Sequence, residues 1–69
     1  MTTPNERTRA ILLAREFLRG VAYHKRSSVP EHIRLRAETL LRHYPDSDDM
    51  KLAYMVCPYW FGDPGNPEK

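Results

Sequence analysis

With 69 residues, the chain has room for one domain and one small core, near the size at which burial barely offsets chain entropy. Cys57 is the only cysteine, which excludes an intrachain disulfide, and no Cys/His set has structural-zinc spacing; a second subunit or a docked partner is the expected extra stabiliser. The net charge is +2, but residues 1–45 carry nine Lys/Arg against four acids and residues 46–69 carry two against five, which reads first as a solvated basic helix pair with an acidic tail end and, more sharply, as a polarity suited to head-to-tail pairing or to an acidic partner.

The first helix is predicted from about Pro4 to Ala22. Thr3 and Glu6 have capping-box spacing: the Thr3 hydroxyl can accept from the Glu6 amide while the Glu6 carboxylate reaches back to the Thr3 amide. Pro4 then falls at the first helical position, where its missing N–H costs nothing. At 100° per residue, Ala10, Ile11, Ala14, Phe17, Leu18, Val21 and Ala22 form a broad apolar stripe predicted to be core. Arg9, Arg15, Glu16 and Arg19 fall opposite, with Leu12 stranded among them. Tyr23-His24-Lys25-Arg26-Ser27 is a polar connector, short enough to demand an antiparallel neighbour.

The second helix is predicted over Val29–His43, with Ser28 and Glu31 as another capping box. Ile33, Ala37, Leu40, Leu41 and Tyr44 make its core stripe, Leu35 lies opposite, and Pro45 stops it. A third helix over residues 47–57 starts at Asp46 or Ser47, whose neighbouring acids suit the positive end of the helix dipole. Met50, Ala53, Tyr54 and Cys57 share one face; Leu52, Met55 and Val56 spread around the rest, so this helix is apolar on more than one side. Tyr59-Trp60-Phe61 opens a Pro/Gly-rich tail over 58–69 with no helical or strand pattern. The expected fold is a single all-α domain over residues 1–69: an antiparallel helical hairpin, a short third helix and an aromatic tail, dimeric. No apolar run is long enough for a membrane span and no signal-peptide core follows Met1, so the expected location is the cytoplasm.

Candidate sites are weighed against plainer roles. His24, His32 and His43 match no metal motif and read as surface histidines; Cys57 reads as a small buried hydrophobe; no glycine-rich phosphate loop exists. An enzyme is not expected, nor is a cofactor or metal. Nucleic-acid binding is the alternative, invited by a helix–turn–helix with arginines. Against it stand the interleaved glutamates, Arg34–Glu38 and Glu38–Arg42 at salt-bridge spacing, and the absence of a base-reading cluster on the second helix. Protein binding has the better support. Leu12 and Leu35 sit on polar faces, and Tyr59, Trp60 and Phe61 are of the types that dominate binding hot spots. These five are the candidate partner-binding residues, on a module that binds and inhibits a larger protein.

The strings Thr2-Thr3-Pro4-Asn5-Glu6-Arg7-Thr8-Arg9-Ala10, Arg15-Glu16-Phe17-Leu18 and Leu40-Leu41-Arg42-His43-Tyr44-Pro45 resemble a family of small proteobacterial proteins without an assigned activity. The resemblance spans about the first two thirds of the chain and rests on caps, core residues and helix ends, so it implies a fold and no chemistry. In size and helical character the chain is also similar to small phage- or prophage-encoded antagonists of quorum sensing, which bind a LuxR-type regulator and a pilus assembly ATPase. That likeness implies a dimeric inhibitor and transfers no binding residue.

Overall fold

The structure, a computed structural model, describes residues 2–23 and 28–65. They form three helices, α1 (Pro4–Tyr23), α2 (Glu31–Arg42) and α3 (Ser47–Val56), and no strand. The predicted connector residues His24, Lys25, Arg26 and Ser27 lie outside the described residues, while Tyr23 forms the last residue of α1. None of the helices is long and apolar enough to cross a membrane.

The start of α1 follows its sequence signature. The Glu6 amide donates to Thr3 Oγ1 at 3.2 Å, and the Thr3 amide donates to Glu6 Oε1 at 2.8 Å. Thr2 Oγ1 donates a second bond to the Glu6 carboxylate. These bonds from the Thr3 amide and the Thr2 hydroxyl hold the Glu6 carboxyl below its ordinary value of 4.5.

The second capping box is absent. Pro30, not Ser28, occupies the N-cap of α2, and no side chain caps it. Pro30 has an extended backbone (φ −57°, ψ 148°), so the chain turns helical only at Glu31. Its carbonyl accepts from the Ile33 and Arg34 amides, which is how the first turn is closed. The far end also falls short of the predicted His43. His43 and Tyr44 bond back to Leu40 and Leu41 in a tightened last turn, because the residue before Pro45 is driven from helical dihedrals. The cap of α3 is a true box: the Asp49 amide donates to Asp46 Oδ1 at 2.9 Å and the Asp46 amide to Asp49 Oδ2 at 3.1 Å. The Asp49 amide is the main cause of a lowered Asp46 carboxyl, and the charge of Arg15 adds to it.

Two of the helices, α1 and α2, pack against one another; α3 touches the pair less and is anchored by Met50, 3 % exposed. The stripe α1 turns inward differs from the predicted one in part: Ile11, Ala14, Leu18, Val21 and Ala22 are buried or half-buried as expected. Thr8 and Ala22 are buried, and Ile11, Leu12, Arg15 and Leu18 are half-buried at i, i+3, i+4 spacing between them. Phe17, predicted core, is 71 % exposed, and Ala10 is exposed too. On α2, Ala37 is buried and Leu41 and Tyr44 half-buried, as expected, but Leu40 is 57 % exposed and Ile33 is also exposed. The reason is geometric. Both helices are apolar over more than one face, each can turn only one face to the other, and the faces chosen carry the buried Ala22 and Ala37. Cys57 is exposed rather than buried, because it is the C-cap of α3 and its backbone (φ −140°, ψ 73°) has left the helical phase.

The outcome is a thin core. Among the described residues, Ala22, Ala37 and Met50 are the fully buried apolar ones. The chain exposes 5637 Å², about 1,100 Å² more than a folded monomer of this mass ordinarily does. Its Cα radius of gyration is 13.9 Å, against roughly 11 Å for a compact chain of this length.

Candidate functional site

Three features of the surface are built well enough to act. The first is a clasp between the tail and the start of α1. After Cys57 the chain makes a tight turn, with the Trp60 and Phe61 amides donating to the Cys57 carbonyl. This returns residues 60–62 to the first turns of α1. The Gly62 amide is shared between the Pro4 carbonyl (3.1 Å) and the buried Thr8 Oγ1 (2.9 Å). Arg7 Nε donates to the Trp60 carbonyl at 2.8 Å, and its guanidinium stacks over the Trp60 ring, 4.1 Å from the centroid. Arg7 Nη1 also donates to the Thr2 carbonyl. One arginine therefore ties the N-terminal arm, the tail backbone and the indole together through three of its functions at once.

The second is a polar groove between α1 and α2, a cleft of about 360 Å³ lined by Arg15, Arg19, Tyr23, Glu38, Leu41 and Arg42. Three cations face one carboxylate there. Arg15 is half-buried and its Nε, though buried, lacks a hydrogen-bond partner. The third is a shallow apolar depression of about 420 Å³ on α2, lined by Leu35, Arg36, Thr39 and Leu40. The Thr39 hydroxyl donates to the Leu35 carbonyl, so the depression keeps no free polar group from Thr39.

The five sequence candidates do not form one cluster. Leu12 is half-buried at the edge of the inward stripe of α1, so it no longer stands as an exposed single. Leu35 is exposed and forms a wall of the apolar depression. Tyr59 is 89 % exposed, Trp60 is 55 % exposed beneath Arg7, and Phe61 is half-buried. His32 and His43 are exposed, while His24 lies outside the described residues. Among the described residues no three His, Cys, Asp or Glu side chains come together as metal ligands would.

Sequence reasoning missed Phe17, Leu40, Ile33 and the clasp residues Arg7, Thr8 and Gly62. Phe17, Ile33 and Leu40 look like core by periodicity alone. Thr8 left a usable signal: a hydroxyl near the inward stripe of an otherwise apolar helix must find a partner, and its partner turned out to be Gly62. No protein-family model matches the chain, and no curated protein or solved structure is significantly similar to it.

Proposed function

We propose that the protein is a small interaction module that binds a larger protein and modulates it, most directly by occupying a surface that the target needs. One observation carries this reading. The core absorbs few apolar side chains, and large ones remain in solvent on every helix: Phe17 and Leu13 on α1, Leu35 and Leu40 on α2, Leu52, Met55 and Val56 on α3, with Tyr59 and Trp60 beyond. Apolar surface left over on this scale is characteristic of proteins that finish their burial against another chain. The reading assigns no catalytic step, cofactor or metal.

Within it, α1 and α2 form an antiparallel hairpin and the molecule works as a homodimer. The antiparallel sense is supported by the groove, where Arg15 and Arg19 meet Leu41 and Arg42 from the other helix, and by the influence of Arg15 on Asp46 beyond the end of α2. The target surface is assigned to Leu35 with Tyr59, Trp60 and Phe61; Leu12, half-buried, would serve it indirectly by setting the helix spacing. The test is affinity capture by the full chain beside Leu35→Asp and Trp60→Ala. Capture lost in both variants with helicity unchanged supports the reading. Capture equal in all three, or of nucleic acid alone, refutes it. A LuxR-type regulator and a pilus assembly ATPase are the first two purified targets to titrate.

The polar groove favours one second reading, binding of duplex nucleic acid through Arg15, Arg19 and Arg42. It demands a steep fall of affinity with salt. Charge reversal at Arg19 and Arg42 would abolish such binding; salt-independent binding removes the reading.

A further inference from the structure

The groove between α1 and α2 has the build of a small-ligand cleft. Its α1 wall is the ridge Arg15, Arg19 and Tyr23, spaced four residues apart so that each is the helical neighbour of the last. Its α2 wall is Glu38, Leu41 and Arg42, again spanning about one turn. Burial sorts these residues into a floor and a rim. Arg15, Glu38 and Leu41 are half-buried; Arg19, Tyr23 and Arg42 are exposed. The floor holds one cation, one anion and an apolar side chain, and the rim adds two more cations and a phenol. A volume of about 360 Å³ lies within the range of pockets that enclose small molecules, and such pockets recur between packed helices. The charges do not balance. Three guanidiniums meet one carboxylate, and Asp46, the acid that feels the Arg15 charge, has its own carboxylate engaged by the Asp49 amide. Arg15 is also the cation that water serves least. Its Nε is buried without a hydrogen-bond partner, which is the condition that a bound group ordinarily relieves. A charge drawn partly out of water attracts an anion more strongly than a solvated one does.

We infer that this cleft binds a small phosphate monoester: Arg19 and Arg42 at the rim and Arg15 beneath them hold the phosphoryl group, and a hydroxyl or amine of the esterified part donates to Glu38. Three features select that chemistry. A phosphoryl group points three oxygens in different directions, so guanidiniums arriving from two helices can each engage one, whereas a carboxylate offers two oxygens in one plane. Its charge of about −1.5 to −2 near neutral pH suits a cleft in which cations outnumber the carboxylate. Glu38 on the floor accepts hydrogen bonds and repels a bare anion, so the ligand must bring a donor to that end. Leu41 gives the carbon skeleton between them an apolar surface. The inference is independent of the interaction-module reading, whose surface is Leu35 with the aromatic tail. It also differs from the nucleic-acid reading, because a duplex is too broad to enter a cleft of this volume and reach Arg15 or Glu38.

Amide NMR shifts of the isotope-labelled full chain test the site, in titrations with inorganic phosphate, glycerol phosphate, acetate and a short DNA duplex. Glycerol phosphate should give saturable shifts on the groove side of α1 and α2, and should bind more tightly than inorganic phosphate, which is too short to reach Glu38 as well. Acetate should not saturate. Arg19→Ala and Arg42→Ala should each weaken glycerol phosphate binding about tenfold, the loss of one charge-assisted contact apiece. Glu38→Ala should tighten inorganic phosphate and abolish the preference for the ester. Arg36→Ala, beside the apolar depression of α2, should change nothing. Arg19 and Arg42 are exposed and stand on different helices, so if circular dichroism shows that one variant has lost helicity, the other decides. No saturable shift with either phosphate overturns the inference. So does binding that survives the joint loss of Arg19 and Arg42, equal affinity for the two phosphates, or acetate binding as tightly as the ester. A duplex that binds where glycerol phosphate does not overturns it too, and favours the nucleic-acid reading instead.

Discussion

Adding one methyl group at Gly62 should release the tail from α1. Gly62 is buried and its φ is negative, so conformational freedom is not what requires a glycine there. Close approach is. A Cβ at this position would lie 2.7 Å from the Asn5 Cα and would overlap the Asn5 side-chain oxygen. The Asn5 backbone belongs to the first turn of α1, held by the Thr3–Glu6 box, and cannot yield cheaply. The tail must retreat by roughly 1 Å to restore an ordinary contact, which stretches both bonds of the Gly62 amide beyond hydrogen-bond range. Each bond contributes about 1 kcal/mol net, and any overlap that remains adds strain of about 1–3 kcal/mol. Gly62→Ala should therefore cost about 2–4 kcal/mol, with the upper limit set by complete detachment of the tail. For a domain of this size that lowers Tm by about 10 °C or more. Thermal unfolding by circular dichroism gives the magnitude. Emission of Trp60, the only tryptophan, gives the location, because detachment removes Arg7 from its face and shifts the spectrum to the red. An unchanged Tm with an unshifted Trp60 spectrum would refute the clasp.

Thr8→Val keeps the shape and removes the acceptor, leaving the Gly62 amide with only the Pro4 carbonyl; a loss of about 1 kcal/mol by urea titration is expected, smaller than for Gly62→Ala. Arg7→Ala removes the stack and the bonds to the Trp60 and Thr2 carbonyls, so Trp60 emission should move red while α2 and α3 keep their amide-exchange protection. Met50→Ala empties the one place where α3 is anchored and should cost about 2–4 kcal/mol, read as loss of α3 protection in hydrogen exchange. The Glu6 and Asp46 carboxyls are held below their ordinary values of 4.5 and 3.8 by bonds that only the folded caps provide. Their contribution is then fully present above those values and is lost as pH falls through the lower folded ones. Helical signal should decline on acidification below about pH 4.5; Glu6→Gln with Asp46→Asn should flatten that decline, and an equal decline in the double variant contradicts the assignment.

The caps show where sequence reasoning reaches and where it stops. Thr3–Glu6 and Asp46–Asp49 are settled within four residues of chain, and both kinds of start are legible from residue type and spacing alone. Ser28–Glu31 has the same spacing and fails, because Pro30 drives Val29 before it away from helical dihedrals, and the helix begins only after Pro30, whose own ψ is 148°. That conflict is itself local, and a closer reading of the proline would have resolved it. Phe17 is a different case. Nothing near it in the chain says whether its side of α1 meets α2 or solvent, since Ile11–Leu18 and Ala10–Phe17 are equally good stripes. The same holds for Leu40 and Ile33 on α2. Of the candidate site, Leu35 is exposed as its place among polar neighbours opposite the core stripe of α2 leads one to expect. Leu12 was misjudged because the charged residue beside it in helical phase, Arg15, is itself half-buried.

From its sequence alone this protein is a set of three short helices, with their starts, their proline stops and a chain too small to bury all its apolar residues. Those properties depend on hydrogen bonds and dihedral preferences acting over a few residues, and on the ratio of apolar surface to length. Which apolar stripe becomes core was decided only by tertiary structure. Of several rotations of α1 and α2 with similar hydrophobicity, the one adopted buries Ala22 and Ala37, and the tail locks onto α1 through Arg7, Thr8 and Gly62 across more than fifty residues of chain. That choice leaves Phe17, Ile33 and Leu40, residues of nominal core stripes, in solvent.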